Sequence, residues 1–181
     1  MTLLVAFLRG VNVGGHTIKK EQLQEVFRSL SLQNAVTYKQ SGNVIFETNS
    51  QQIDEVKAEI ESKLREIFGY DITVIVRTIH QLKAVVCLNA FAGQETEGAS
   101  FLITMLPCST ATFPLELPLT IPKSTARIIS LMGTNVFSVT HGGGEGALPN
   151  SFIELKLNLK ATTRNLNTIK EIVKMYGGDN V

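Results

Sequence analysis

Apolar positions change their spacing from one stretch of the chain to the next, and the changes mark out elements. Leu3 to Leu8 is an unbroken apolar run of strand length. Leu23, Val26, Phe27 and Leu30 then recur at helical spacing, with Lys20, Glu21, Gln24, Glu25 and Arg28 on the other faces. "AVTYKQSGNVIFET" holds two β-rich runs around Ser41-Gly42-Asn43, and Gly-Asn is a turn signal because both residues tolerate positive φ. After Ser50, a second helix carries Ile53, Val56, Ile60, Leu64, Ile67 and Phe68 on one stripe. Glu59–Lys63 and Glu61–Arg65 are spaced as ion pairs along it, and Gly69 is placed to stop it. "DITVIVRT" reads as a fourth strand. The order over residues 2–77 is βαββαβ, the split βαβ or ferredoxin-like arrangement.

The remaining chain is less regular. Thr78-x-x-Gln81 is a capping-box pattern that opens a helix running through Val86, and "SFLITML" is a strand. Four of the five prolines (Pro107, Pro114, Pro118 and Pro122) fall in residues 107–124, which predicts a loop with at most one short helix. "TARIISLMGTNVFSVTH" reads as a hairpin turning near Gly133-Thr134-Asn135, and "HGGGEGALPN" as a loop. "FIELKLNLK" alternates like a strand, yet Ser151-x-x-Glu154 is a capping box and most of its residues favour helix; residues 152–160 are assigned as helix. Thr162 or Thr163 then caps a last helix, with Leu166, Ile169, Ile172, Val173 and Tyr176 inward and Gly177 at its end. The fold class is α+β: a ferredoxin-like half over residues 1–77, then a second α/β half over 78–181 with two C-terminal helices.

Composition narrows the function classes. The 181 residues are 44% hydrophobic and 18% charged, with a net charge of +1. No global field recruits nucleic acid, lipid headgroups or acidic substrates, so recognition of an anion has to be local. Cys87 and Cys108 lie far apart, without CxxC or histidines at metal-ligand spacing, and are expected to be buried free thiols. The first ten residues have no basic region or cleavage pattern and are too short to span a bilayer, so a cytoplasmic location is expected.

The topology places one candidate site. In a ferredoxin-like sheet, strands one and two are parallel with strand three between them. The loop after strand one and the hairpin after strand two therefore emerge at the same edge, with roots roughly 10 Å apart. That edge carries Arg9, Asn12, Gly14, Gly15, Gln40, Ser41 and Asn43, with Lys19 and Lys20 close by. Arginine offers a planar fork suited to phosphate or carboxylate, and glycines let backbone N–H groups meet an anion beside a helix N-terminus. The plainer alternative is that the glycines turn the chain and the asparagines hydrogen-bond loop backbone. The loop matches neither GxGxxG nor GxxxxGK[ST], and no cofactor is implied.

"LLVAFLRGVNVGG", "TYKQSGNVIF" and "LPNSFIELKLNLKATTRNLNTI" resemble the bacterial family called domain of unknown function 1697, whose members read LRGINVGG, QSGNVxF and TTRNWNT. Val11 stands where isoleucine is usual, and Leu166 where tryptophan is usual. The resemblance implies ferredoxin-like halves in an α+β fold and supplies no reaction. It draws attention to Thr163, Arg164 and Asn165 at a helix start, either as caps or as a second anion-binding cluster.

Evidence for catalysis is thin. His16 adjoins the glycine loop, His80 falls in the first turn of a helix and His141 precedes a triple glycine, each without a partner in the pattern; Ser41 is not in a GxSxG elbow, and Glu145 and Glu154 lie near loops. Near-zero net charge and the lack of a basic-glycine-aromatic signature beside Phe46 argue against RNA. Phe113, Leu115, Leu117 and Leu119 form either a self-association surface or a loop over its own core. The expectation is an anionic small molecule or nucleotide bound at the Arg9 edge, enzymatic or not. The competing reading is an interaction protein that forms homo-oligomers.

Overall fold

The computed structural model describes residues 1–11, 17–39, 42–109, 113–142 and 148–178. The chain divides into two compact units, Met1–Gln81 and Leu82–Val181.

The first unit runs β1 (Thr2–Leu8), α1 (Lys20–Ser29), β2 (Gln33–Tyr38), β3 (Asn43–Thr48), α2 (Ile53–Phe68) and β4 (Val74–Thr78). Its antiparallel sheet has the order β2-β3-β1-β4, the ferredoxin-like topology expected from the periodicity. Leu4, Ala6 and Leu8 of β1 alternate into one core with Val44 and Phe46 of β3 and Val74 and Val76 of β4. Leu23, Val26 and Phe27 of α1 and Val56, Ile60 and Leu64 of α2 close it. Phe27 meets Phe46 with ring centroids 5.3 Å apart, an ordinary tilted aromatic contact. Gly69 ends α2 at φ 78°. The ion pairs along α2 differ from the predicted ones. Glu61 pairs with Lys57 at 3.8 Å and also accepts the Val74 N–H, Lys63 pairs with Glu66 at 2.8 Å, and Arg65 reaches Asp71 at 3.4 Å. A backbone N–H at the start of β4 and an acid past the helix end thus compete with the i, i+4 partners.

The second unit begins within α3 (Ile79–Cys87), whose capping box forms as read: Gln81 N–H donates to Thr78 Oγ1 at 3.0 Å and Thr78 N–H to Gln81 Oε1 at 2.9 Å. There follow β5 (Ala99–Met105), β6 (Leu119–Thr120), β7 (Ala126–Met132), β8 (Asn135–His141), α4 (Asn150–Leu157), β9 (Thr162–Asn165) and α5 (Leu166–Tyr176). Its five-stranded antiparallel sheet has the order β6-β7-β8-β5-β9. Gly133, at φ 58°, supplies the left-handed residue that the two-residue turn from Met132 to Asn135 needs. Phe113, Ile121, Ala126, Ile128, Val136 and Ile153 share a core. Phe113 is buried and Leu117 packs against that core, so this part of the proline-bounded segment covers its own unit, while Leu115 stays exposed.

Three expectations are corrected here. Residues 152–160 do begin as helix, but α4 starts at Asn150 after Pro149, which puts Ser151 inside the first turn. Glu154 does not close a capping box; its Oε1 accepts the Ala161 N–H at 2.7 Å. Thr162 and Thr163 are not helix caps but strand residues, paired with Met105 and Thr104 of β5, and Asn165 caps α5 by accepting the Asn167 N–H at 2.9 Å. Cys87 and Cys108 are free as expected but exposed, at the end of α3 and just past β5.

Candidate functional site

The end of β1 is tied to both neighbours. Leu8 N–H donates to the Gly42 carbonyl at 2.8 Å, and Arg9 N–H, facing the other way, donates to the Thr73 carbonyl at 2.9 Å. The chain leaving β1 and the β2–β3 turn therefore share one rim, as the strand order requires. Gly42 sits there at φ 67°, where a Cβ would lie 3.1 Å from Leu8 Cβ and 3.3 Å from Val11 Cβ. Only glycine supplies both that conformation and that close approach without strain.

Beside this rim a cleft of about 730 Å³ opens at the start of α1. Its described floor is buried: Val11, Ile18 and Leu23 are apolar, and Thr37 and Asn43 are polar. Its described mouth carries three lysines, Lys19, Lys20 and Lys39, against one acid, Glu21. Lys39 adopts φ 54° at the end of β2, with its ammonium 5.4 Å from the centre of the Tyr38 ring. The first intrahelical bond of α1 runs from Leu23 N–H to the Lys19 carbonyl. The N–H groups of Lys20, Glu21 and Gln22 thus lie in the turn where the helix dipole favours negative charge. Gln22 Oε1 turns back to accept the Lys19 N–H at 3.0 Å.

Of the residues expected at this edge, Asn43 lines the cleft, but its Nδ2 donates to the Tyr38 carbonyl at 3.0 Å and closes the hairpin. Arg9 stands one residue past β1 and is not among the described lining residues. Asn12, Gly14, Gly15, Gln40 and Ser41 lie outside the described residues, as do His16 and Glu145. Thr37 and Lys39 were not singled out in the sequence. Thr37 looks like one polar position of an alternating strand, and only the packing of α1 beside β2 brings it to the cleft.

The Arg164 cluster belongs to the second unit. Arg164 donates to Thr162 Oγ1 at 2.7 Å and to the Thr163 carbonyl at 2.9 Å. Burial of its guanidinium pulls its pKa down to about 10. Thr163 Oγ1 lies 2.8 Å from Thr104 Oγ1 and donates to Asn150 Oδ1 at 3.0 Å, linking β5, β9 and α4. These contacts commit the threonines and Asn165 to holding strand, helix and cap together. Among the described residues no three His, Cys, Asp or Glu side chains are grouped to hold a metal ion, and no helix is long and apolar enough to cross a membrane.

A ferredoxin-like unit with a basic cleft, joined to a second antiparallel α+β unit, defines the class of protein. The chain belongs to the family described as protein of unknown function, DUF1697, whose profile matches residues 1–128. Its fold is similar to that of the conserved bacterial protein SP0830 from Streptococcus pneumoniae, with a TM-score of 0.66 at 18% identity over 98% of this chain and 99% of the other. No curated protein matches the sequence.

Proposed function

We propose that the protein binds a small anionic ligand, carrying phosphate or carboxylate, in the cleft between the start of α1 and the β2–β3 turn. The observation that carries this reading is the convergence of Lys19, Lys20 and Lys39 on one cleft at the amino end of a helix. A nearly neutral chain has no long-range attraction for anions, so three cations around one opening are the local field that recognition needs. Arg9, one residue past β1, leaves the sheet at the same rim and is the next cation to include in the reading. A cytoplasmic setting accords with two free thiols.

The test is thermal unfolding in the presence of inorganic phosphate, pyrophosphate, citrate and nucleoside phosphates. A ligand at a hundred times its dissociation constant adds about 2.7 kcal/mol of stability. The expected result is a shift that saturates in the wild type and disappears in the Lys19→Ala/Lys20→Ala/Lys39→Ala variant. A shift that persists in that variant moves the ligand elsewhere, with Arg9→Ala and Arg164→Ala as the next variants. No shift with any anion, together with self-association on raising protein concentration, replaces this reading with that of an assembly protein.

A further inference from the structure

The cleft is larger and more mixed than a bare anion requires. Its three lysines stand at the mouth, while below them Val11, Ile18 and Leu23 are 8%, 6% and 4% exposed. An inorganic phosphate held by the lysines leaves that apolar floor unused. A volume of about 730 Å³ falls within the range of roughly 300–1,000 Å³ that sites for organic molecules occupy.

Thr37 adds a second, independent feature. It is 6% exposed, lines the cleft, and its buried hydroxyl has no hydrogen-bond partner among the described residues. In the register of β2 on β3 it is opposite Val44, a residue of the core beneath α1 and α2, so its side chain lies on the helix-covered face of the sheet. A buried hydroxyl without a partner is costly, and a guest that supplies a donor or acceptor there recovers the cost. A step of χ1 from one staggered well to the next swings the hydroxyl to another position around Cβ, so reaching such a guest needs no backbone movement.

We infer, resting on the anion-site reading above, that the ligand is a ring-bearing phosphate ester of the nucleoside monophosphate class. Its ring lies on Val11, Ile18 and Leu23, a polar atom at the ring edge bonds the Thr37 hydroxyl, and its phosphate meets the lysines at the start of α1. Glu21 at the mouth disfavours ligands that crowd further anionic groups against that side.

Titration of the full chain with four probes decides the matter: inorganic phosphate, phenyl phosphate, and the 5′-monophosphates of adenosine and uridine. The wild type and Thr37→Val are compared by calorimetry and thermal unfolding, with circular dichroism confirming that each is folded. At least one nucleotide is expected to bind about tenfold or more tightly than inorganic phosphate. Thr37→Val, which keeps the shape and removes the hydroxyl, is expected to weaken that nucleotide roughly two- to tenfold. It is expected to leave inorganic and phenyl phosphate unchanged. Nucleotides that bind no better than inorganic phosphate overturn this inference and leave the anion site standing; no binding of any of the four overturns it as well, and the anion site falls only if citrate and pyrophosphate also leave thermal unfolding unchanged. Phenyl phosphate matching the nucleotides, or a nucleotide affinity that Thr37→Val does not alter, overturns the part assigned to Thr37.

Discussion

Gly42 carries two constraints at once, a left-handed backbone and a Cβ position already crowded by Leu8 and Val11. Gly42→Ala therefore meets a conformational penalty of about 1–2 kcal/mol before any repacking. The expected outcome is a loss of about 1–3 kcal/mol in urea unfolding, with the m-value unchanged. Because the added methyl presses on Val11, the variant should also weaken the anion binding proposed for the cleft. Asn43, the next residue, was read from sequence either as a ligand group or as a loop hydrogen-bonder, and its amide nitrogen serves the hairpin. Sequence shows that an asparagine follows a glycine; it does not show which neighbour occupies the amide.

Among the elements, α5 is the one whose start differs most from expectation. "ATTRN" precedes an amphipathic run, and threonine is both a good cap and a good strand residue. Pairing with β5, distant in sequence, decides for strand and moves the cap to Asn165. Asn165→Ala is expected to cost about 0.5–2 kcal/mol in thermal or urea unfolding, and Asn165→Asp far less, since a carboxylate also accepts the Asn167 N–H. The βαββαβ half was legible because α1 and α2 keep a clear helical period, Gly42-Asn43 marks the hairpin and Gly69 ends α2, although β2 carries a register shift between Gln33 and Val36. The second half holds two short strands, β6 and β9, and a proline-rich connection, so its order depended on contacts that local pattern does not encode. The shared rim was legible as well, following from strand order alone. Thr37 was not, because an alternating strand gives no sign that a helix N-terminus will cover one of its polar positions.

For the molecule as a whole, two units of similar size each carry their own sheet and core, and the division falls inside α3. The chain is nearly neutral, so its charge acts through local groupings such as the three lysines of the cleft. Cys87 and Cys108 are both exposed, contrary to the expectation that thiols of this kind are interior. The folded chain should therefore titrate two thiols with a disulfide reagent before any denaturant is added. A count below two until the protein unfolds contradicts the placement of at least one of them.

The junction at Asn165 has a mechanical consequence. The residue that ends β9 is also the cap of α5, so no linker lies between the strand and the helix. With no slack at that corner, peeling β9 from β5 drags the helix off with it, and Ile169, Ile172 and Val173 leave their burial together. Strand and helix thus come away as a single flap, and amide exchange along the two should fall into one cooperative step.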